Sequence, residues 1–191
     1  MKELNTQKKS ALRKHYLMLR ENLHEDYVHK ASTSIAEKLF TIPEFINSDV
    51  IHCYVSIPGN NEVISDIIIH KCFGMDKIVI IPKVAGDGLL THHQIESLQK
   101  LEPNEWGVRE PVEEKEWPLS EIDLVIVPMV AGDGYCNRLG YGKGYYDRFL
   151  ALTNCPKIGL LFDCQLHSNT LPVDTFDVRL DRIITEKKVI S

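Results

Sequence analysis

The sequence predicts an α/β protein: a Rossmann-like three-layer α/β/α fold around a largely parallel sheet, as one domain over residues 1–191. Three observations lead there. Helical and strand-like patterns alternate along the chain. The strand-like runs, such as Lys77 to Ile81 and Asp123 to Val127, are nearly continuous in apolar residues. Strands covered on both faces must read that way, whereas half-exposed strands alternate apolar with polar. Finally, Pro82-Lys83-Val84-Ala85-Gly86-Asp87-Gly88 echoes Pro128-Met129-Val130-Ala131-Gly132-Asp133-Gly134, each after an apolar run. Both read as turns leaving the carboxyl ends of strands, the edge where open α/β sheets bind ligands; a chance likeness of two turns is the competing reading.

From about Thr6 to Leu23, Leu12, Tyr16, Leu19 and Leu23 recur at helical spacing while Lys8, Lys9, Arg13, Lys14 and Arg20 make the other faces basic, which predicts an amphipathic opening helix. Val28, Ala31, Ile35, Ala36 and Leu39 predict a second helix that stops before Pro43, since proline cannot continue one. Val50 to Ser56 reads as a β-rich strand and Pro58 to Asn61 as a turn. A helix of about Ser65 to Phe73, ended by Gly74, leads to the strands Lys77 to Ile81 and Leu89 to Ile95. After a polar stretch holding Pro103, Pro111 and Pro118, the strand Asp123 to Val127 passes through a glycine-rich loop into a helix of about Gly144 to Leu152. Lys157 to Phe162 supplies one more core strand.

With 191 residues and 43% hydrophobic content, the chain can bury one sizeable core. Its net charge of −5 argues against a general nucleic-acid or membrane-surface binder, because both need an extended positive surface. An anionic ligand must therefore be held by a local basic cluster. The five cysteines form no regular framework, which suits a reducing cytoplasm. The polar stretch Met1 to Lys14 lacks a signal peptide's apolar core, and apolar runs such as Leu124 to Ala131 fall far short of the roughly 20 residues that cross a bilayer.

The densest chemical signal is Asn137-Arg138-Leu139-Gly140-Tyr141-Gly142-Lys143-Gly144-Tyr145-Tyr146-Asp147. Glycines at alternate positions let the backbone turn tightly and bring N–H groups close to a ligand, and a helix start with Arg138 and Lys143 adds positive charge, as a phosphate cradle requires. A flexible turn with solvated cations is the alternative. The segment is not a P-loop, because Lys143 is followed by Gly144 instead of Ser or Thr. The dinucleotide fingerprint also fails, its third glycine arriving one residue early. His92-His93 and Cys164 with His167 hint at zinc, but no four-ligand set at familiar spacing accompanies them, and no Ser-His-Asp or Cys-His arrangement can be read from scattered histidines.

The same segment resembles the Arg-Leu-Gly-x-Gly-x-Gly-Tyr-Tyr-Asp signature of the 5-formyltetrahydrofolate cyclo-ligase family. Lys9 and Arg13 are similar to that family's Lys-x-x-x-Arg pair, Trp106 to Pro111 to its central Gly-Ile-x-Glu-Pro stretch, and Phe176 to Asp181 to its C-terminal segment. The resemblance implies ATP contacts by Lys9, Arg13, Arg138, Leu139, Gly140, Tyr141, Gly142, Lys143, Gly144, Tyr145 and Tyr146. It implies folate contacts by Val55, Glu62, Tyr141, Gly142, Lys143, Gly144 and Tyr145, and Mg²⁺ ligation by Asp147 and Asp177. Among these, Arg138, Lys143 and Tyr145 are the candidate catalytic residues. Without the resemblance, Lys9 and Arg13 read as a solvated basic face, Glu62 and Asp147 as capping or loop carboxylates, and Asp181 competes with Asp177. The chain departs from the family at Ile64-Ser65, at Cys136 and at Lys143, which is glycine in many members.

The implied reaction is ATP-dependent cyclisation of 5-formyltetrahydrofolate to 5,10-methenyltetrahydrofolate through a phosphorylated formyl group, in the cytoplasm, by a monomer without nucleic-acid or membrane partners. The fold it implies is shared with sugar-phosphate isomerases and CoA transferases. Two rivals remain: a non-catalytic sensor of a phosphorylated ligand, since fold does not fix function, and an isomerase or transferase of that related architecture, which ATP dependence would separate.

Overall fold

The computed structural model describes residues 2–112 and 115–191; Met1, Glu113 and Glu114 of the expected domain lie outside the described residues. The helices α1 (Lys2–Glu21), α2 (Glu25–Leu39) and α3 (Pro43–Ile46) precede the strand β1 (Val50–Cys53). Then come α4 (Asp66–Phe73), β2 (Ile78–Val84), β3 (Leu90–Ile95), β4 (Leu101–Pro103) and β5 (Arg109–Pro111). The second half carries β6 (Leu124–Pro128), β7 (Ala131–Asp133), β8 (Arg138–Leu139), α5 (Tyr145–Leu150), β9 (Lys157–Leu160), β10 (Leu166–His167), β11 (Arg182–Ile184) and β12 (Val189–Ile190).

Seven strands form the main sheet in the order β12-β11-β9-β6-β1-β2-β3. The five inner strands run parallel, while β3 and β12 are antiparallel edges. Alternate residues of each inner strand enter different cores, as a period of two requires. Ile51, Val79, Leu124 and Ile126 pack under α2 and α4, whereas Val50, Ile80, Val125 and Val127 pack with Phe149 and Leu150 of α5. The continuous apolar runs thus signalled burial on both faces. Coverage is uneven: among the described residues the α-helix in the second core is the short α5, joined by turns around Ile122 and Leu180.

Strand order places the ligand edge. From β1 the chain moves outward to β2 and β3, then returns to the other side of β1 with β6 and continues to β9. Loops leaving the carboxyl ends of β1 and β6 therefore diverge, and the crevice between them is the topological switch point. Among the described residues no helix is long and apolar enough to cross a membrane.

Several expectations need correction. The helix expected to run through Leu152 stops at Leu150. The two echoing segments do not play one role: Pro82 to Val84 still belong to β2, which turns back as the β2–β3 hairpin, whereas Ala131 to Asp133 leave the main sheet as β7 and join the small sheet β10-β7-β8. The expected basic outer face of α1 is also wrong at two positions, since Lys9 and Arg20 are buried at 6% and 3% exposure. The physical reason is that α1 lies over the small sheet, where Tyr16 meets Val130, Ala131 and Leu139. The residues flanking Tyr16 on the same stripe therefore point inward, toward acidic partners.

Candidate active site

A cleft of about 420 Å³ opens at the carboxyl ends of β1, β2 and β6, within the range of small-molecule sites. Every site residue expected from the sequence lines it: Lys9, Arg13, Val55, Glu62, Asp177 and the run from Arg138 to Asp147. The elements that converge there are α1, the end of β1, the loop before α4, the glycine-rich segment and the 174–177 turn.

One end of the cleft alternates cations and carboxylates. The Lys9 ammonium donates to Asp174 at 2.7 Å and to Asp177, whose carboxylate also accepts the backbone N–H of Asp174 at 2.7 Å. Arg13, one helical turn on, donates from Nε to the Gly140 carbonyl at 2.7 Å. Burial pushes the Arg13 pKa down from its ordinary value, while Asp177 and Asp147 nearby push it back up. Both aspartates are thus close enough to share one guanidinium field. Arg138 donates to Asp147 at 2.6 Å and weakly to the Pro128 carbonyl at 3.4 Å, and lies 5.7 Å over the Tyr146 ring. Its Nε and the Tyr146 hydroxyl are buried without a protein partner, and burial first of all raises the Tyr146 pKa well above a free phenol's. These are donors with capacity left for a ligand.

The glycine-rich segment is shaped by two left-handed residues, Gly142 at φ +92° and Gly144 at φ +72°. A Cβ on Gly142 would sit 3.0 Å from the Arg13 guanidinium carbon, so the bare backbone is what lets α1 approach. Gly144 starts α5, and Arg148 from that helix ties back to the Gly88 carbonyl at 3.0 Å and the Lys143 carbonyl at 3.0 Å. Because α5 has only six residues, the positive field comes mainly from side chains and not from a long helix dipole. Lys143 is exposed at the rim.

The other end is built from the loop after β1. Reciprocal bonds, Ser56 N–H to Ser65 Oγ at 2.8 Å and Ser65 N–H to Ser56 Oγ at 3.2 Å, close the base of this loop. The departure at Ser65 is therefore a loop fastener. Within the loop, Glu62 accepts the Ile57 N–H at 2.8 Å and the Tyr141 hydroxyl. Arg109 fixes the far side by pairing with Asp66, at 2.9 Å from Nη1, and donating to the Ser56 carbonyl at 3.2 Å. Trp106, exposed at 60%, and Val108 complete an apolar wall with Val55, Pro82, Val84 and Leu90.

Sequence reasoning missed Arg20, Trp106 and Val108 as site-forming residues. The first was hidden by its place in a basic helix; the Trp106 stretch was matched to the family but given no place in the site. Asp181, the competitor of Asp177, accepts the Lys157 N–H at 2.7 Å at the start of β11 and does not line the cleft. His92 and His93 are buried, at 8% and 1%. His92 pairs with His52 at 3.1 Å, and His167 with Tyr16 at 2.8 Å.

Comparison with known proteins finds relatives over most of the chain. The 5-formyltetrahydrofolate cyclo-ligase family pattern matches residues 5–186. A probable 5-formyltetrahydrofolate cyclo-ligase of Schizosaccharomyces pombe is 32% identical over 88% of this chain and 90% of its own. The 5-formyltetrahydrofolate cyclo-ligase of Haemophilus influenzae is 30% identical over 95% and 99%. Among solved structures, the Aquifex aeolicus 5,10-methenyltetrahydrofolate synthetase superposes with a TM-score of 0.83 at 34% identity, covering 95% of this chain and 91% of that one. The Mycoplasma pneumoniae 5,10-methenyltetrahydrofolate synthetase gives 0.75 at 27% identity, covering 93% and 98%. Fold and sequence agree over nearly the whole length, and the chain belongs to the 5-formyltetrahydrofolate cyclo-ligase family of ligases.

Proposed function

We propose that this chain, as one cytoplasmic, monomeric domain with no nucleic-acid or membrane partner, cyclises 5-formyltetrahydrofolate to 5,10-methenyltetrahydrofolate with ATP. The observation that carries the reading is the convergence of Lys9, Arg13 and Arg138 with Asp147 and Asp177 in one cleft beside an apolar wall. The charged end suits a triphosphate and the apolar end, with Glu62 and Tyr141, suits a folate.

In the proposed reaction the formyl oxygen attacks the γ-phosphorus and ADP leaves. The neighbouring anilino nitrogen then attacks the activated formyl carbon, loses its proton, and phosphate departs with the oxygen. No protein nucleophile is needed, and positioning with charge neutralisation provides most of the rate. Arg13 and Arg138 orient phosphate oxygens, with Lys9 holding the Asp174–Asp177 turn and Lys143 contributing charge at the rim. The backbone of Gly140 to Gly144 approaches the phosphates, Val55 packs on the folate, and Tyr145 stands at the meeting of the two ligands.

The residues fit Mg²⁺. Among the described residues no set of three or more His, Cys, Asp or Glu side chains forms a self-sufficient metal site, and Mg²⁺ typically takes one or two carboxylates and completes its shell with phosphate and water. Asp147 and Asp177 would hold it, and it would supply charge neutralisation on the phosphate oxygens. The test is an absorbance assay for the methenyl product with 5-formyltetrahydrofolate and Mg²⁺, with and without ATP. Product should form only with ATP; equal rates without it, or none with it, sink the proposal.

A further inference from the structure

We infer that Arg20 is a positioning residue for the folate end of the cleft, fixing the Tyr141 phenol and the Glu62 carboxylate in one arrangement. This rests on the proposed reading of that end as a folate site. Arg20 reaches the cleft because of helix geometry. Lys9, Arg13, Tyr16 and Arg20 follow at steps of four, three and four, which keeps them on one stripe of α1. Arg20 stands about 16 Å along the axis from Lys9 at 1.5 Å per residue. One helix therefore serves both ends of the cleft, with phosphate-side cations on its first half and Arg20 near its last turn.

The contacts fix the hydrogen-bond directions. Arg20 has donors only, so its Nη2 donates to the Tyr141 oxygen at 2.8 Å. The single phenolic proton is then directed to Glu62 Oε1. Arg20 Nη1 lies 3.8 Å from the same carboxylate oxygen, and its guanidinium carbon is 5.6 Å from the centre of the Tyr141 ring. The other Glu62 oxygen accepts the Ile57 N–H at 2.8 Å. Burial and then Glu62 push the Tyr141 pKa well up, with Arg20 opposing, so the phenol remains a neutral donor. The Arg20 backbone carbonyl takes part as well: Asn61 Nδ2 donates to the carbonyls of Arg20 at 3.2 Å and Leu23 at 3.0 Å, holding the Glu62 loop against the end of α1.

Arg20 itself is 3% exposed and does not line the main cleft, whereas Tyr141 and Glu62 do. Its influence on a ligand must therefore pass through them. Removing it takes away one of the phenol's two hydrogen bonds and leaves a carboxylate short of a cation. Loss should fall on the folate, because Arg20 holds the Tyr141 hydroxyl while the nucleotide is met by the backbone of that segment and by cations at the other end.

The experiment compares wild type with Arg20→Met and Arg20→Lys by calorimetric titration of 5-formyltetrahydrofolate and of ATP separately. Tyrosine labelled at its ring Cζ with ¹³C serves as a second readout, with the Tyr141 signal assigned through Tyr141→Phe. Arg20→Met should bind the folate about tenfold more weakly or worse, keep ATP affinity within about twofold, and shift the Tyr141 signal. Arg20→Lys should recover part of the affinity, and it carries the same readouts if Arg20→Met does not fold. Equal weakening for both ligands, no weakening for either, or an unmoved Tyr141 signal overturns the inference. A wild type that binds neither ligand would instead sink the functional proposal, and the Tyr141 signal would still decide the role of Arg20.

Discussion

Arg138 illustrates why a residue's partners matter more than its charge. The residue is 9% exposed and its guanidinium already holds Asp147 and the Pro128 carbonyl, so any phosphate contact must use its remaining donors. A lysine at that position offers one compact ammonium and cannot brace Asp147 while meeting a phosphate in the same plane. Arg138→Lys should lower kcat/KM at limiting ATP by about tenfold or more, equivalent to about 1.4 kcal/mol, with the melting temperature little changed; unaltered kinetics would make the residue a mere brace. The aspartates separate in the same manner. Asp147 and Asp177 line the cleft, while Asp181 is spent on the Lys157 N–H. Asp147→Asn and Asp177→Asn should each raise the Mg²⁺ concentration for half-maximal rate several-fold, since hard Mg²⁺ favours carboxylate oxygens, and Asp181→Asn should leave it unchanged. Superimposable Mg²⁺ titrations for the two cleft variants would rule them out as ligands.

At the scale of elements, the glycine-rich segment and α1 work as a pair, and each shows how far the sequence could be read. Alternate glycines announced a backbone that approaches something closely, and the positive φ at Gly142 and Gly144 accounts for two of the three. What the pattern could not reveal is that the neighbour is Arg13 of α1 as well as any ligand. An alanine at Gly142 would be strained by roughly 1–2 kcal/mol in the left-handed region and would press on the Arg13 guanidinium, dislodging it from Gly140. Gly142→Ala should therefore raise KM for ATP about tenfold or more, whereas Gly134→Ala, with nothing within 4 Å of its added Cβ, should match wild type; equal kinetics for the two would show that Arg13 does not depend on this approach. Helix α1 was legible as a helix but not in its facing, because amphipathic reasoning sends cations outward and here acidic and phenolic partners draw Lys9 and Arg20 inward. The strands β8, β10 and β12 have two residues each, too few to carry any periodicity, and they were missed for that reason.

For the whole molecule, continuous apolar strands were sufficient to predict a two-faced sheet, but not the polar pair buried in it. His52 on β1 is fully buried and meets His92 on the antiparallel edge β3 at 3.1 Å, with Phe149 of α5 4.6 Å and 4.2 Å from the two ring centres. His93 adjoins on β3, the Tyr146 ring stands 6.4 Å from His52, and the His92 carbonyl accepts the Trp117 N–H at 2.8 Å. The pair thus ties the central strand, the edge hairpin and the helix that follows the glycine-rich segment. Burial, then the His92 imidazole, lowers the pKa of His52 well below that of a free histidine; burial, then the His93 imidazole, brings His92 from 6.5 to about 4. A histidine whose folded pKa is depressed binds fewer protons folded than unfolded in that interval, so stability is full above about pH 6.5 and declines as pH falls toward about 4. For His92 the slope approaches about 1.4 kcal/mol per pH unit, hence roughly 2 kcal/mol between pH 6.5 and 5. His92→Asn keeps a polar atom near His52 without a proton to gain, so it should lower stability at pH 7 yet flatten the acid slope. Urea unfolding at several pH values between 7 and 5 measures both. Parallel curves for wild type and variant would mean that the acid sensitivity lies elsewhere; a flatter variant curve would assign a share of it to this buried pair.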